Sequence, residues 1–207
     1  MPFIINGRKH RFRALAAALF ASPADAATIS NPYDCAPQPT LANSFSFWND
    51  YGLYTPVPNA GLEDGTKGWT LSGGARVVPG NEPWRIGGGW HRNALELPAG
   101  SSAVTAPLCI DETYPHFRLF ARNLGAVGGA LKIEVLYFDK GGKIVNTKPV
   151  DYKSTSTAWA PTGMVGINVF TSKTTVAAAP VAFRFTPTNK DARWVIDDVY
   201  VDPWARG

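Results

Sequence analysis

Apolar and polar positions alternate with a period of two along most of the chain after residue 59. Leu131, Ile133, Val135 and Tyr137 interleave with Lys132, Glu134, Leu136 and Phe138. Eight residues in this pattern predict a strand with one face more buried than the other. Asp139-Lys140-Gly141-Gly142 then supplies hairpin turn chemistry, with Ile144 and Val145 opening the partner strand. The same alternation predicts strands through Phe117–Ala121, Val165–Val169 and Val181–Phe185, around Leu95 and Leu97, and over Val195–Val201. Beyond the leader no stretch has helical periodicity and no internal repeat is visible. Many short strands separated by turn signals predict a sandwich or barrel. The expected fold is all-β: an antiparallel two-sheet β-sandwich whose sheets hide each other's inner faces.

Residues 27–58 break the pattern. Pro32, Pro37, Pro39, Pro56 and Pro58 exclude a long helix. Phe45, Phe47, Trp48, Tyr51 and Tyr54 leave room for one short helical turn and predict that this irregular extension packs onto the domain. Residues 1–26 read as a signal peptide, which makes the chain an exported one. Arg8, Lys9, Arg11 and Arg13 precede an apolar run from Ala14 to Ala21, and Ala24-Asp25-Ala26 fits the cleavage site. That run is too short for a membrane span, which needs roughly 20 apolar residues, and no other candidate span is present. The expected division is therefore a leader (1–26), an extension (27–58) and a sandwich domain (59–207).

The leader changes the charge reading. It holds four of the 20 basic residues and one of the 16 acidic ones, so its removal lowers the net charge from +4 to +1. No basic stripe remains to suggest a nucleic-acid partner. Lys140, Lys143, Lys148 and Lys153 share their stretch with Asp139 and Asp151 and read as a solvated hairpin. The two cysteines, Cys35 and Cys109, lie beyond the leader, and an even count in an exported chain favours a disulfide. Such a bond would fasten the extension to a central strand. Two cysteines with no C-x-x-C are a poor metal site.

Asn59-Ala60-Gly61-Leu62-Glu63-Asp64-Gly65 with Gly68-Trp69, then Ala94–Pro98, then Trp194-Val195-Ile196-Asp197-Asp198-Val199-Tyr200-Val201 form an ordered set. The set resembles the opening motif, next core strand and closing strand of jelly-roll carbohydrate-binding modules, and covers residues 59–203. The outline also resembles a group of small secreted bacterial proteins of unassigned function. The resemblance implies a jelly roll, glycan binding, and a structural calcium held by Glu63 and Asp197, with Asp198 as a further ligand. Leu62 stands where the family has Phe. Calcium takes several hard oxygen donors, and carboxylates from distant strands suit it. The alternative role for Glu63 and Asp197 is capping turns or accepting backbone N–H bonds.

A sugar-binding surface needs flat aromatics beside hydrogen-bonding groups. Asn81–Arg92 is the most suggestive segment, with Trp84, Arg85, Trp90 and His91 as candidate ligand residues. Trp159 is a second candidate, whereas Trp69 matches a core position. The competing reading makes Trp84 and Trp90 buried plugs at a sandwich edge. No catalytic motif appears, and the expectation is a non-enzyme. A glycosidase would need two carboxylates. Glu63, Glu82, Glu96, Glu112 and Glu134 are the material, with Glu96 and Glu134 expected to face solvent. The leading functional reading is a secreted, non-catalytic binder of a polysaccharide or cell-surface glycan. An extracellular structural or protein-interaction domain stands second, and a small polysaccharide hydrolase or lyase third. The sequence leaves the oligomeric state open.

Overall fold

A computed structural model describes residues 41–110, 116–125, 128–154, 156–167 and 179–202. The expected leader, Cys35, Glu112, Val169 and residues 27–40 lie outside them. Two antiparallel sheets form a sandwich, as the alternation predicts. The elements are a 3-10 turn at Ser46–Trp48, then β1 (Thr55–Pro56), β2 (Trp69–Ser72), β3 (Arg76–Pro79), β4 (Asn93–Pro98), β5 (Ser102–Thr105), β6 (Leu108–Ile110) and β7 (His116–Asn123). They continue with β8 (Ala130–Phe138), β9 (Ile144–Lys153), β10 (Ala160–Pro161), β11 (Val165–Gly166), β12 (Ala179–Pro187) and β13 (Arg193–Asp202). One sheet runs β10-β7-β13-β4-β3, with β1 added on β13 and β11 on β7. The other runs β2-β5-β12-β8-β9, with β6 added on β12. Among the described residues no helix is long and apolar enough to cross a membrane.

Period-two strands bury one face, and here both sheets turn that face inward. Leu131, Ile133, Val135 and Tyr137 of β8 and Val181, Phe183 and Phe185 of β12 meet Leu95, Leu97, Phe117, Leu119 and Trp194 of the other sheet. Phe117 and Phe183 approach to 4.5 Å across the interface. The β8–β9 hairpin closes as expected: Asp139 Oδ1 accepts the N–H groups of Gly141 and Lys143.

Two expectations fail. Glu96 does not face solvent; it is 4% exposed on β4 and forms ion pairs with Arg76 and Arg193. Burial of a carboxylate requires such partners. Glu134 is likewise half-buried, paired with Lys132 and Arg184. Strict alternation over Val195–Val201 puts Asp197 on one face with Val199 and Val201, and the structure does not keep it there. The β13–β7 register shifts between Asp197 and Tyr200, so Trp194 and Ile196 point inward before the bulge and Val199 and Val201 after it. A β-bulge adds one unpaired residue and reverses the parity downstream. Asp198 sits in it with φ of 48°.

The described part of the extension, residues 41–58, packs on the domain as predicted. Its outer-face cluster joins Phe45 and Tyr54 to Phe120 and Tyr200 of the sheet, with Trp48, Trp84, Ile86 and Trp159 at the margin. Phe45 stacks on Phe120 at 5.6 Å, under the Arg118 guanidinium. Arg118 also pairs with Asp50. The sandwich's first sheet is thus covered on both faces.

Candidate functional site

Three stretches converge: Asn59–Glu63, the β3–β4 loop Gly80–Arg92, and the bulge of β13, the middle strand of the first sheet. Glu82, 1% exposed, organises the loop. Its Oε2 accepts the Trp84 N–H at 2.6 Å and its Oε1 the Ile86 N–H at 2.5 Å. Its own N–H donates to Asp197 Oδ2 at 3.1 Å. These three bonds fix the Pro83–Ile86 turn, in which Arg85 takes φ of 53°, a conformation rare outside glycine.

His91 closes the loop from beneath. It is buried, with Nδ1 lacking a hydrogen bond and 3.9 Å from Asp198 Oδ1. Its ring is wedged between two glycine backbones. A Cβ on Gly61 would stand 2.5 Å from His91 Nδ1, and one on Gly87 2.1 Å from His91 Cε1. Only a residue without a side chain fits at either place.

Asp197 and Asp198 are both fully buried. Asp197 is satisfied: Oδ2 accepts from Glu82 and Oδ1 accepts the Asp198 N–H at 2.9 Å. Neither carboxylate oxygen of Asp198 has a donor in good hydrogen-bond geometry, the Gly87 N–H and the Glu82 carboxyl lying close but poorly placed. Burial, and then the neighbouring charge of Asp198, pushes the Asp197 carboxyl well above the usual range. Burial, and then the charge of Glu82, does the same to Asp198. A buried carboxylate left in this state is costly.

Asp198 borders a cavity of about 200 Å³ shared with Glu63, Asn59, Gly61, Gly87 and His91. Glu63 Oε1 accepts the N–H groups of Arg92 and Asn93 at 2.7 and 2.9 Å, and Oε2 accepts from Asn93 Nδ2 at 3.3 Å. Glu63 thereby ties the Asn59–Glu63 turn to β4. Of the three expected metal ligands, Glu63 and Asp198 face one cavity, while Asp197 is turned to Glu82. Among the described residues no three acidic, histidine or cysteine side chains converge as a metal cluster. A cation here would need backbone carbonyls as well. The Asp198 and Glu63 carboxylates on one cavity suit a hard cation.

The expected ligand residues divide. Trp90 is 65% exposed, its ring edge-on to His91 at 4.5 Å. Trp84 is half-buried, packed on Trp48 at 4.8 Å and Phe120 at 5.5 Å. Arg85 is exposed and His91 is not. Trp159 is half-buried beneath the Arg122 guanidinium, 4.9 Å from its ring centre, in the margin of the extension cluster. Trp90 and Arg85 therefore form the accessible part, and Trp84 and His91 support it. The sequence reading missed the structural part of Glu82 and the participation of Arg92. The signal for Glu82 was its place just before Pro83, where a carboxylate can accept the N–H groups of the turn that follows.

Comparisons with known proteins follow the fold. No protein-family profile matches the chain, and no curated protein matches it. Among solved structures, the galactotriose-bound module TmCBM61 is 17% identical and covers 71% of this chain and 97% of its own, with a TM-score of 0.40. The CBM22-1 xylan-binding domain of Paenibacillus barcinonensis Xyn10C is 16% identical, over 69% of this chain and 90% of its own, at a TM-score of 0.44. A cyclase from Fischerella sp. TAU is 14% identical, over 72% and 96%, at 0.49. All three are distant in sequence, and what each binds or makes is a property of that protein.

Proposed function

We propose that this chain is a secreted, non-catalytic glycan-binding protein that engages saccharide through the Gly80–Arg92 loop. The observation that carries the reading is Trp90: a large indole, 65% exposed, in a turn closed by the His91 N–H donating to the Gly88 carbonyl at 3.0 Å. An exposed aromatic held rigidly loses little freedom on stacking against a sugar ring. The resemblance in the opening and closing motifs supports the same reading.

In this reading a calcium ion fills the cavity beside Asp198. Asp198 and Glu63 would hold it together with backbone carbonyls, and it would supply the positive charge that the buried carboxylates lack. A Cys35–Cys109 disulfide belongs to the same proposal and would anchor the extension to β6. Retention of the purified protein in gels containing neutral and acidic polysaccharides, with calcium and with chelator, tests the reading. Saturable retardation by a polysaccharide is the expected result. Chelator is expected to lower the thermal midpoint. No retardation in any gel would remove the glycan reading and leave the interaction-domain one, for which Phe47 and Tyr51, 71% and 70% exposed, offer an apolar surface.

A further inference from the structure

The described arginines fall into two groups. Arg76, Arg118, Arg184 and Arg193 each pair with a carboxylate, and Arg122 lies over Trp159. Arg85 and Arg92 have neither kind of partner among the described residues. Both are exposed, and both are aimed at one point. Arg85 Nη1 donates to the Gly89 carbonyl at 2.6 Å. Arg92 Nη1 donates to the same oxygen at 3.0 Å and to the His91 carbonyl at 2.7 Å. Two guanidinium groups of like charge thus meet at the carbonyl oxygen of Gly89, the residue that precedes the exposed Trp90.

Like charges do not gather without cause. Arg85 is brought there by a left-handed backbone conformation that the buried Glu82 carboxylate holds through the flanking N–H groups. A strained residue maintained by its surroundings, with its side chain directed at an open surface, points to a ligand. Glu63 accepts the backbone N–H of Arg92 at 2.7 Å and makes no ion pair with the guanidinium. Among the described residues no carboxylate pairs with either guanidinium.

We infer that the ligand of this loop is an acidic saccharide, a uronate, whose pyranose face stacks on Trp90 while its carboxylate is held by Arg85 and Arg92. This rests on the glycan reading above and names the ligand class within it. A guanidinium presents a planar fork that matches a carboxylate, and charge-assisted bonds of this kind are roughly twice as strong as neutral ones. A neutral sugar offers these arginines only hydroxyls. The rigid fork discriminates between the two.

The test is calorimetric titration of the full chain with oligogalacturonate, oligomannuronate and oligoglucuronate, each beside its methyl ester. Esterification keeps the ring and removes the charge. At least one acid form is expected to bind about tenfold or more tightly than its ester, and to weaken as salt screens the pair. The Arg92→Gln and Arg85→Asn variants are expected to lose that preference while keeping the wild-type thermal midpoint. Asparagine tolerates the left-handed backbone at position 85. Equal binding of acid and ester overturns the inference and leaves the glycan reading standing. Retention on neutral polysaccharides alone does the same. Poly-glutamate binding as tightly as the uronates also overturns it, since charge without a sugar ring would then suffice. Binding to no saccharide of any kind removes the glycan reading itself.

Discussion

Glu82 shows how one side chain sets the shape of the site. Its two oxygens satisfy two backbone N–H groups of the turn that carries Trp84 and Arg85. Leaving such donors unpaired costs about 1–3 kcal/mol each. Glu82→Ala is therefore expected to destabilise the protein by roughly 2–4 kcal/mol in denaturant unfolding, with faster amide exchange confined first to residues 83–92. At the far end of β13, burial raises the Asp202 carboxyl to about 6, the Asp50 charge adding to the rise and Arg118 opposing it. The unfolded value is about 3.9, so the folded state holds this proton more tightly. The stability Asp202 contributes is then present below about pH 4 and is lost as pH rises through about 6. Asp202→Asn is expected to reduce the fall in urea midpoint across that window relative to the wild type. An unchanged fall would place the pH dependence elsewhere.

At the scale of elements, two further contacts seat irregular segments of the chain against the sheet. The first is the wedge of His91 between Gly61 and Gly87. A methyl group at Gly87 would also stand 2.8 Å from Asp198 Oδ1, so the ring has no free side to move toward. Gly87→Ala is expected to cost about 1–3 kcal/mol of stability by overpacking, read from the shift in unfolding midpoint. The second is the seating of the extension on β7 and β13. Phe45 is fully buried there, and Phe45→Ala is expected to cost about 3–5 kcal/mol, with early proteolytic cleavage between residues 41 and 54. The longer strands β4, β7, β8, β9, β12 and β13 were legible in the sequence, because a two-layer sandwich writes its inner faces as alternation. The short β1, β2, β3, β5, β6 and β10 were not, and the strand expected over Val165–Val169 is seen among the described residues only at Val165–Gly166. Glu96 was not legible either, since its burial depends on Arg76 and Arg193 from strands on either side of it in the sheet. The β13 bulge was also illegible. One unpaired residue leaves no mark in composition, yet it moved Asp198 into the cavity and turned Asp197 toward Glu82. The Asn81–Arg92 loop was legible as a candidate from its aromatics and arginines. The division of labour between Trp84, a packing residue, and Trp90, an exposed one, came only from the seating of Trp48 and Phe120.

For the whole molecule, the sandwich acts as a rigid frame that gathers residues 59–63, 80–92 and 197–198 into one site. The β13–β4 and β3–β4 pairings bring the loop and the bulge together, and Glu63 binds the remaining stretch to them. The surface that results carries one exposed indole, two exposed arginines joined at the Gly89 carbonyl, and a cavity bordered by Asp198 and Glu63. The most direct test of this account is the affinity of Trp90→Ala, measured beside the wild type by tryptophan emission during titration with a polysaccharide that retards the wild type. The account predicts a loss of about tenfold or more, at least 1.4 kcal/mol, with an unchanged unfolding midpoint because Trp90 packs against little besides His91. Wild-type affinity in the Trp90→Ala protein would contradict it and move the saccharide to another face.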